Sequence, residues 1–126
     1  MISFFYGLLA VVLAYFLNKL LLKLSSPVTV TLMAPWIEEP LKTLLPVLGN
    51  GNLIIAHMVF GFAEGLYDLF TAKKNFLAFV LSLITHTVFG LITLFFITKL
   101  SVFYGIIIAA LGHTLYNLII LKVAWR

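Results

Sequence analysis

The sequence has no cysteine. Disulfides, thiolate metal sites and cysteine nucleophiles are therefore excluded. Charge is nearly as scarce: charged residues are 10% of the 126 positions, hydrophobic ones 63%. A soluble domain of this length shows a much larger charged fraction and amphipathic patterns. The chain instead has the composition of the membrane class. No internal repeat and no low-complexity segment is present. Acidic residues are the rarest charged type, with four against eight basic ones.

The net charge of +4 could suggest a nucleic-acid partner, but its distribution argues for none. Lys19, Lys23, Lys73, Lys74, Lys99, Lys122 and Arg126 all stand at the ends of apolar runs. They read as topology signals at lipid headgroups. Glu38, Glu39, Glu64 and Asp68 all fall inside apolar runs. A carboxylate at membrane depth is costly, so each is a functional candidate by default.

The apolar runs predict an all-α, polytopic helical bundle of about five spans, forming a single transmembrane domain over residues 1–126. The first span, Met1 to Leu24, reads as an anchor. It lacks the basic leader and the small-residue cleavage site of a secretory signal. Residues 28–123 then form a four-helix core. After the Ser25-Ser26-Pro27 turn, the second span runs from Val28 to Leu48 and carries Pro35, Pro40 and Pro46. Proline removes a backbone hydrogen bond, so a kink or local unwinding is expected at Glu38-Glu39-Pro40. Gly49-Asn50-Gly51-Asn52 reads as a tight turn. The third span, Leu53 to Ala72, holds Gly61 and Gly65, a small-xxx-small face for close helix approach. The fourth runs from Phe76 to Thr98 and the fifth from Val102 to Val123. Alternating the helix ends puts six basic residues on one side and Lys99 alone on the other. By the positive-inside rule the amino terminus is outside and the carboxy terminus cytoplasmic.

The polar groups share a level. Counted from the cytoplasmic helix ends at about 1.5 Å per residue, Glu38, Glu39, His86 and His113 lie roughly 15 Å deep and Glu64 roughly 12 Å. Glu38 and Lys42, Glu64 and Asp68, and His113 and Asn117 are i,i+4 pairs on shared helix faces. Each feature also has a structural alternative. Glu38-Glu39 could be an ion pair with Lys42, although one lysine needs only one carboxylate. Glu64 could be a packing residue bonded across the bundle, and either histidine taken singly could be a satisfied core residue. His57, near the outer end of its helix, is expected at the interface. Asp68 is expected one turn nearer cytoplasmic water. Tyr67, Tyr116 and Trp125 are expected to pack or to form the aromatic belt.

Carboxylates and histidines in a shielded cavity suit hydrolysis. A glutamate can take a proton from water as general base, and His113 with Asn117 could donate to an oxyanion. A second version uses zinc: Glu64, His86 and His113 form a two-histidine, one-carboxylate set with a position left for water. The HExxH spacing is absent, so such a site would be assembled from three helices. The residues themselves leave both versions open.

The order Glu38-Glu39-x-x-Lys42, Phe60-x-x-x-Glu64, a lone His86 and His113-x-x-x-Asn117 resembles the superfamily joining CAAX prenyl endopeptidases, CPBP (bacteriocin-processing and self-immunity) proteins and PrsW. EExxK and FxxxE are similar to PrsW, whereas HxxxN is the CAAX-branch form. The resemblance covers Glu38 to Asn117. It implies an intramembrane endopeptidase acting on membrane-bound or membrane-proximal peptides or proteins. Glu38 or Glu39 would activate water, Glu64, His86, His113 and Asn117 would complete the site, and Lys42 and Phe60 would support it. Members have been described both as metalloproteases and as metal-independent glutamate proteases. Relatives are usually longer, so this chain is either a minimal core or is closed by a partner or a homo-oligomer. Three rival functions fit the composition: a proton- or ion-coupled transporter or channel, a haem or quinone protein ligated by His86 and His113, and an inactive immunity or scaffold relative.

Overall fold

The computed structural model describes residues 1–71 and 76–124, with side chains as far as Lys122. Ala72, Lys73, Lys74, Trp125 and Arg126, used above for span bounds, topology and the interface, lie outside the described residues. The described secondary structure is all helical: α1 Ile2–Leu24, α2 Pro27–Leu48, α3 Leu53–Thr71, α4 Phe76–Lys99 and α5 Val102–Ala124. These bounds lie within two residues of those expected from the apolar runs.

Four of the helices, α1, α3, α4 and α5, are long and apolar enough to cross a membrane. The protein is thus a multi-pass membrane helical bundle. The fifth, α2, does not meet that composition; it carries Glu38, Glu39 and Lys42 as well as three internal prolines. The helix is nevertheless continuous from Pro27 to Leu48. The unwinding expected at the acid pair does not occur. Pro35 leaves the carbonyl of Thr31 without its intrahelical donor, and Asn117 Nδ2 on α5 donates to that oxygen at 2.9 Å. A side chain from a neighbouring helix thus satisfies the freed group, as membrane helices require.

The turns follow from local chemistry. Ser26 caps α2 by accepting from Thr29 N at 3.2 Å, and Pro27 occupies the first turn, where its missing N–H costs nothing. Between α2 and α3, Asn50 takes a left-handed φ of 54°, a conformation asparagine tolerates better than most residues. Asn52 Oδ1 then accepts from Ile55 N at 3.1 Å. Tyr6 lies against Gly49, and Ser3 Oγ accepts from Asn52 N at 2.8 Å. The start of α1 and this turn therefore share one end of the bundle.

The helices close a ring in the order α1, α2, α5, α4, α3, and α2 also touches α3 across it. Small residues set the spacing. Gly7, Ala10 and Ala14 form a face of α1 in which a Cβ on Gly7 would come within 2.7 Å of Val59 Cβ. On α3, a Cβ at Gly61 would meet His86 Cβ at 2.7 Å, and one at Gly65 would meet the Phe79 carbonyl oxygen at 2.9 Å. The expected small-xxx-small face is thus the seam between α3 and α4, which make the most extensive helix pair. It also brings His86 into the bundle centre.

Candidate functional site

Inside the ring, α2, α3, α4 and α5 each contribute to one hydrogen-bonded network. Its centre is Lys42, fully buried, with Nζ 2.6 Å from Glu39 Oε1 and 2.9 Å from His86 Nδ1. Every other described lysine is exposed at a helix end. An ammonium has donors only, so Lys42 donates to both atoms. His86 Nδ1 is then the ring's acceptor, and Nε2–H donates to Glu64 Oε2. Ser82 Oγ donates to the same Glu64 oxygen at 3.0 Å. Beyond Glu39 the network continues to α5: His113 Nδ1 lies 2.8 Å from Glu39 Oε1 and donates to it. The run Glu64–His86–Lys42–Glu39–His113 is therefore unbroken.

Aromatic rings brace it. The Lys42 ammonium sits 4.5 Å above the centroid of Phe60, a cation–π contact in a dry setting. The Phe60 ring is 5.3 Å from the ring of His86, and Phe89 stacks on His113 at 5.0 Å. Phe60 thus touches both Lys42 and His86.

Glu38 and Glu39 end in different surroundings. Glu39 is fully buried and tied to Lys42 and His113. Glu38 faces a cavity of about 440 Å³ between α1, α2 and α3, lined also by Ala14, Asn18, Phe60 and Glu64. Its Oε1 accepts from Asn18 Nδ2 at 2.9 Å. Its Oε2 stands 4.0 Å from His113 Nδ1, beyond hydrogen-bond distance. A second cavity of about 250 Å³ between α3, α4 and α5 is lined by Glu64, Asp68, His86, His113, Tyr116 and Asn117 among others. Glu64 borders both cavities, and its side chain is 37% exposed.

Two positions differ from expectation, and one polar residue had no place in it. His57 is not interfacial: it is fully buried, with Nδ1 3.9 Å from Glu39 Oε2. Gly90 on α4 makes room for it, since a Cβ there would come within 2.9 Å of His57 Cβ. Asn117, expected to act beside His113 as an oxyanion donor, lines the same cavity but gives an amide hydrogen to the Thr31 carbonyl. Asn18 on α1, in the segment read as an anchor, orients Glu38. An amide inside an apolar run is the signal that pointed to it, by the same rule that singled out the carboxylates. Asp68 is half-buried in the second cavity, one turn from Glu64. Among the described residues, the buried polar atoms without a partner are Asn18 Oδ1, Glu39 Oε2, Thr43 Oγ1 and both ring nitrogens of His57.

Among the described residues, those whose ligand atoms cluster closely enough for a metal are Glu39, His86 and His113, all within 4.8 Å of one another. Glu64, the carboxylate expected in that set, is instead the hydrogen-bond partner of His86 Nε2. The donor set does not fit a metal while Lys42 keeps its place. Both nitrogens of His86 are engaged, one by Lys42 and the other by Glu64. Lys42 and His113 already share the Glu39 oxygen.

No family model, no curated protein and no solved structure matches the chain. The likeness to the CAAX–PrsW superfamily rests on the motif residues between Glu38 and Asn117.

Proposed function

We propose that the protein is an intramembrane endopeptidase in which Glu38 activates the attacking water. The observation that carries this reading is the asymmetry of the acid pair. Glu38 has one oxygen oriented by Asn18 and the other clear of hydrogen-bonding partners beside a large cavity. That is the arrangement a general base needs: a fixed carboxylate within reach of water and substrate. Glu39, bonded to Lys42 and His113, serves as the anchor of the network.

In this reading a peptide segment enters the cavity between α1 and α3. Glu38 takes a proton from water, and the oxygen adds to the scissile carbonyl carbon. The proton passes to the departing amine. The ring of His113, oriented through Nδ1 by Glu39, is the adjacent acid–base group. Lys42 supplies fixed positive charge beneath the site. The substrate is a membrane-embedded or membrane-proximal peptide, and the amino terminus faces outward by the basic-residue count.

The test is cleavage of a fluorogenic peptide library by the detergent-purified protein. Glu38→Gln is expected to abolish cleavage while leaving the fold intact. Full activity in that variant would reject the assignment. One observation favours a second reading, a proton-coupled transporter: the unbroken run from Glu64 to His113 is also a proton path. Proton flux in liposomes, abolished by Lys42→Met and accompanied by no proteolysis, would select it.

A further inference from the structure

We infer that Lys42 is the resident cation of this site: its ammonium holds together a ligand triad that, without it, binds a divalent transition metal. The inference does not depend on the protease reading.

Four observations carry it. Glu39, His86 and His113 come from three different helices, yet their ligand atoms lie within 4.8 Å of one another. All three residues are buried, and two imidazoles with one carboxylate are a donor set that zinc accepts in tetrahedral geometry. The Lys42 ammonium is within 2.9 Å of ligand atoms of two of them and is itself fully buried. The Phe60 ring lies 4.5 Å from the ammonium. A zinc ion bonds imidazole nitrogen at about 2.0–2.1 Å, so an ion reaching His86 Nδ1 would have to displace the hydrogen bond from Lys42. The other ring nitrogen belongs to Glu64.

The ammonium does part of what a metal would do. It neutralises Glu39, fixes the tautomer of His86 and draws α2 to α4. It cannot bind a water as a Lewis acid, because it has donors and no vacant orbital. Removing it frees His86 Nδ1 and one lone pair of Glu39; on metal binding His113 gives up its bond to Glu39 and moves its proton to Nε2, which turns Nδ1 into a ligand. Zinc or cobalt(II) would then find nitrogen, nitrogen and oxygen donors, with a position open for solvent.

The experiment uses the full-length protein in detergent, dialysed against zinc and analysed for bound metal, with cobalt(II) absorption as a second readout. Wild type and Lys42→Arg should retain only background metal. Lys42→Ala should bind about one zinc per chain and show tetrahedral cobalt bands, both lost on adding His113→Ala. Stoichiometric zinc in the wild type that disappears in His86→Ala would overturn the inference. So would a folded Lys42→Ala that binds no metal. Where Lys42→Ala is folded but destabilised, zinc must raise its unfolding midpoint and leave that of the wild type unchanged. Absence of that rescue also overturns it.

Discussion

Glu38 and Glu39 are neighbours in sequence and opposites in setting. Successive residues on a helix point about 100° apart. Here that rotation turns one carboxylate toward a cavity and Asn18, and the other into a buried cluster with Lys42, His86 and His113. The cluster side has the character of a structural core, with fully buried charges and stacked rings. The cavity side keeps a carboxylate oxygen clear of partners and a second carboxylate, Glu64, partly exposed. The lesson is that an adjacent acid pair can divide its labour: one carboxylate ties helices together while the other faces a cavity.

Substitutions on the two sides should therefore fail in different ways. The largest effect is expected at Lys42. Lys42→Met fills the volume but leaves Glu39 buried without its cation, and breaking a buried pair in this way costs about 3–5 kcal/mol. Denaturant unfolding in detergent measures it. Next is Glu38→Gln, for which kcat should fall by about 10²–10⁴-fold, the usual contribution of a general base, with an unchanged unfolding midpoint. Glu39→Gln should instead lower the midpoint, because Lys42 and His113 lose a charged acceptor. Equal loss of stability in both variants would erase the distinction between the two sides.

Gly61→Val should cost about 1–3 kcal/mol by overpacking the α3–α4 seam, with activity falling as His86 is displaced. Asn117→Leu leaves the Thr31 carbonyl unsatisfied, at about 1–3 kcal/mol. Adding Pro35→Ala should recover part of that loss, because it restores a backbone donor to Thr31. A double-mutant cycle showing simple additivity would refute this account of Asn117. The smallest effect is expected at His57. Both of its nitrogens are buried without partners, so His57→Phe should be neutral or stabilising by up to about 1 kcal/mol. A large destabilisation would reveal an ordered partner for the ring.

Much of the bundle was legible before its structure. The spacing of apolar runs and turn residues placed all five helices, and helical rise placed Glu38, Glu39, Glu64, His86 and His113 at one level, where all but Glu38 join a single hydrogen-bonded network. His57 was misplaced because depth along a helix does not say which way a side chain points. It turns inward where Gly90 leaves space. Asn18 was passed over because α1 read as an anchor. In the ring of helices, its small-residue face packs on α3 and carries the amide to Glu38. Of the kink or local unwinding expected at Glu38-Glu39-Pro40, the unwinding did not occur: α2 is helical throughout. At Pro35 the freed carbonyl of Thr31 finds a donor in Asn117, far along the chain.

The sequence by itself determined that this is a membrane protein, where its helices begin and end, and that Glu38, Glu39, Glu64, His86 and His113 lie at similar heights along their helices. Those properties depend on composition and on the constant rise of a helix. Only the tertiary structure decided which carboxylate faces the cavity, which is held by Lys42, and which ligand atoms converge. Rotation about each helix axis and the order of helices around the ring are set by contacts between distant segments, such as Gly61 against His86 and Asn117 against Thr31.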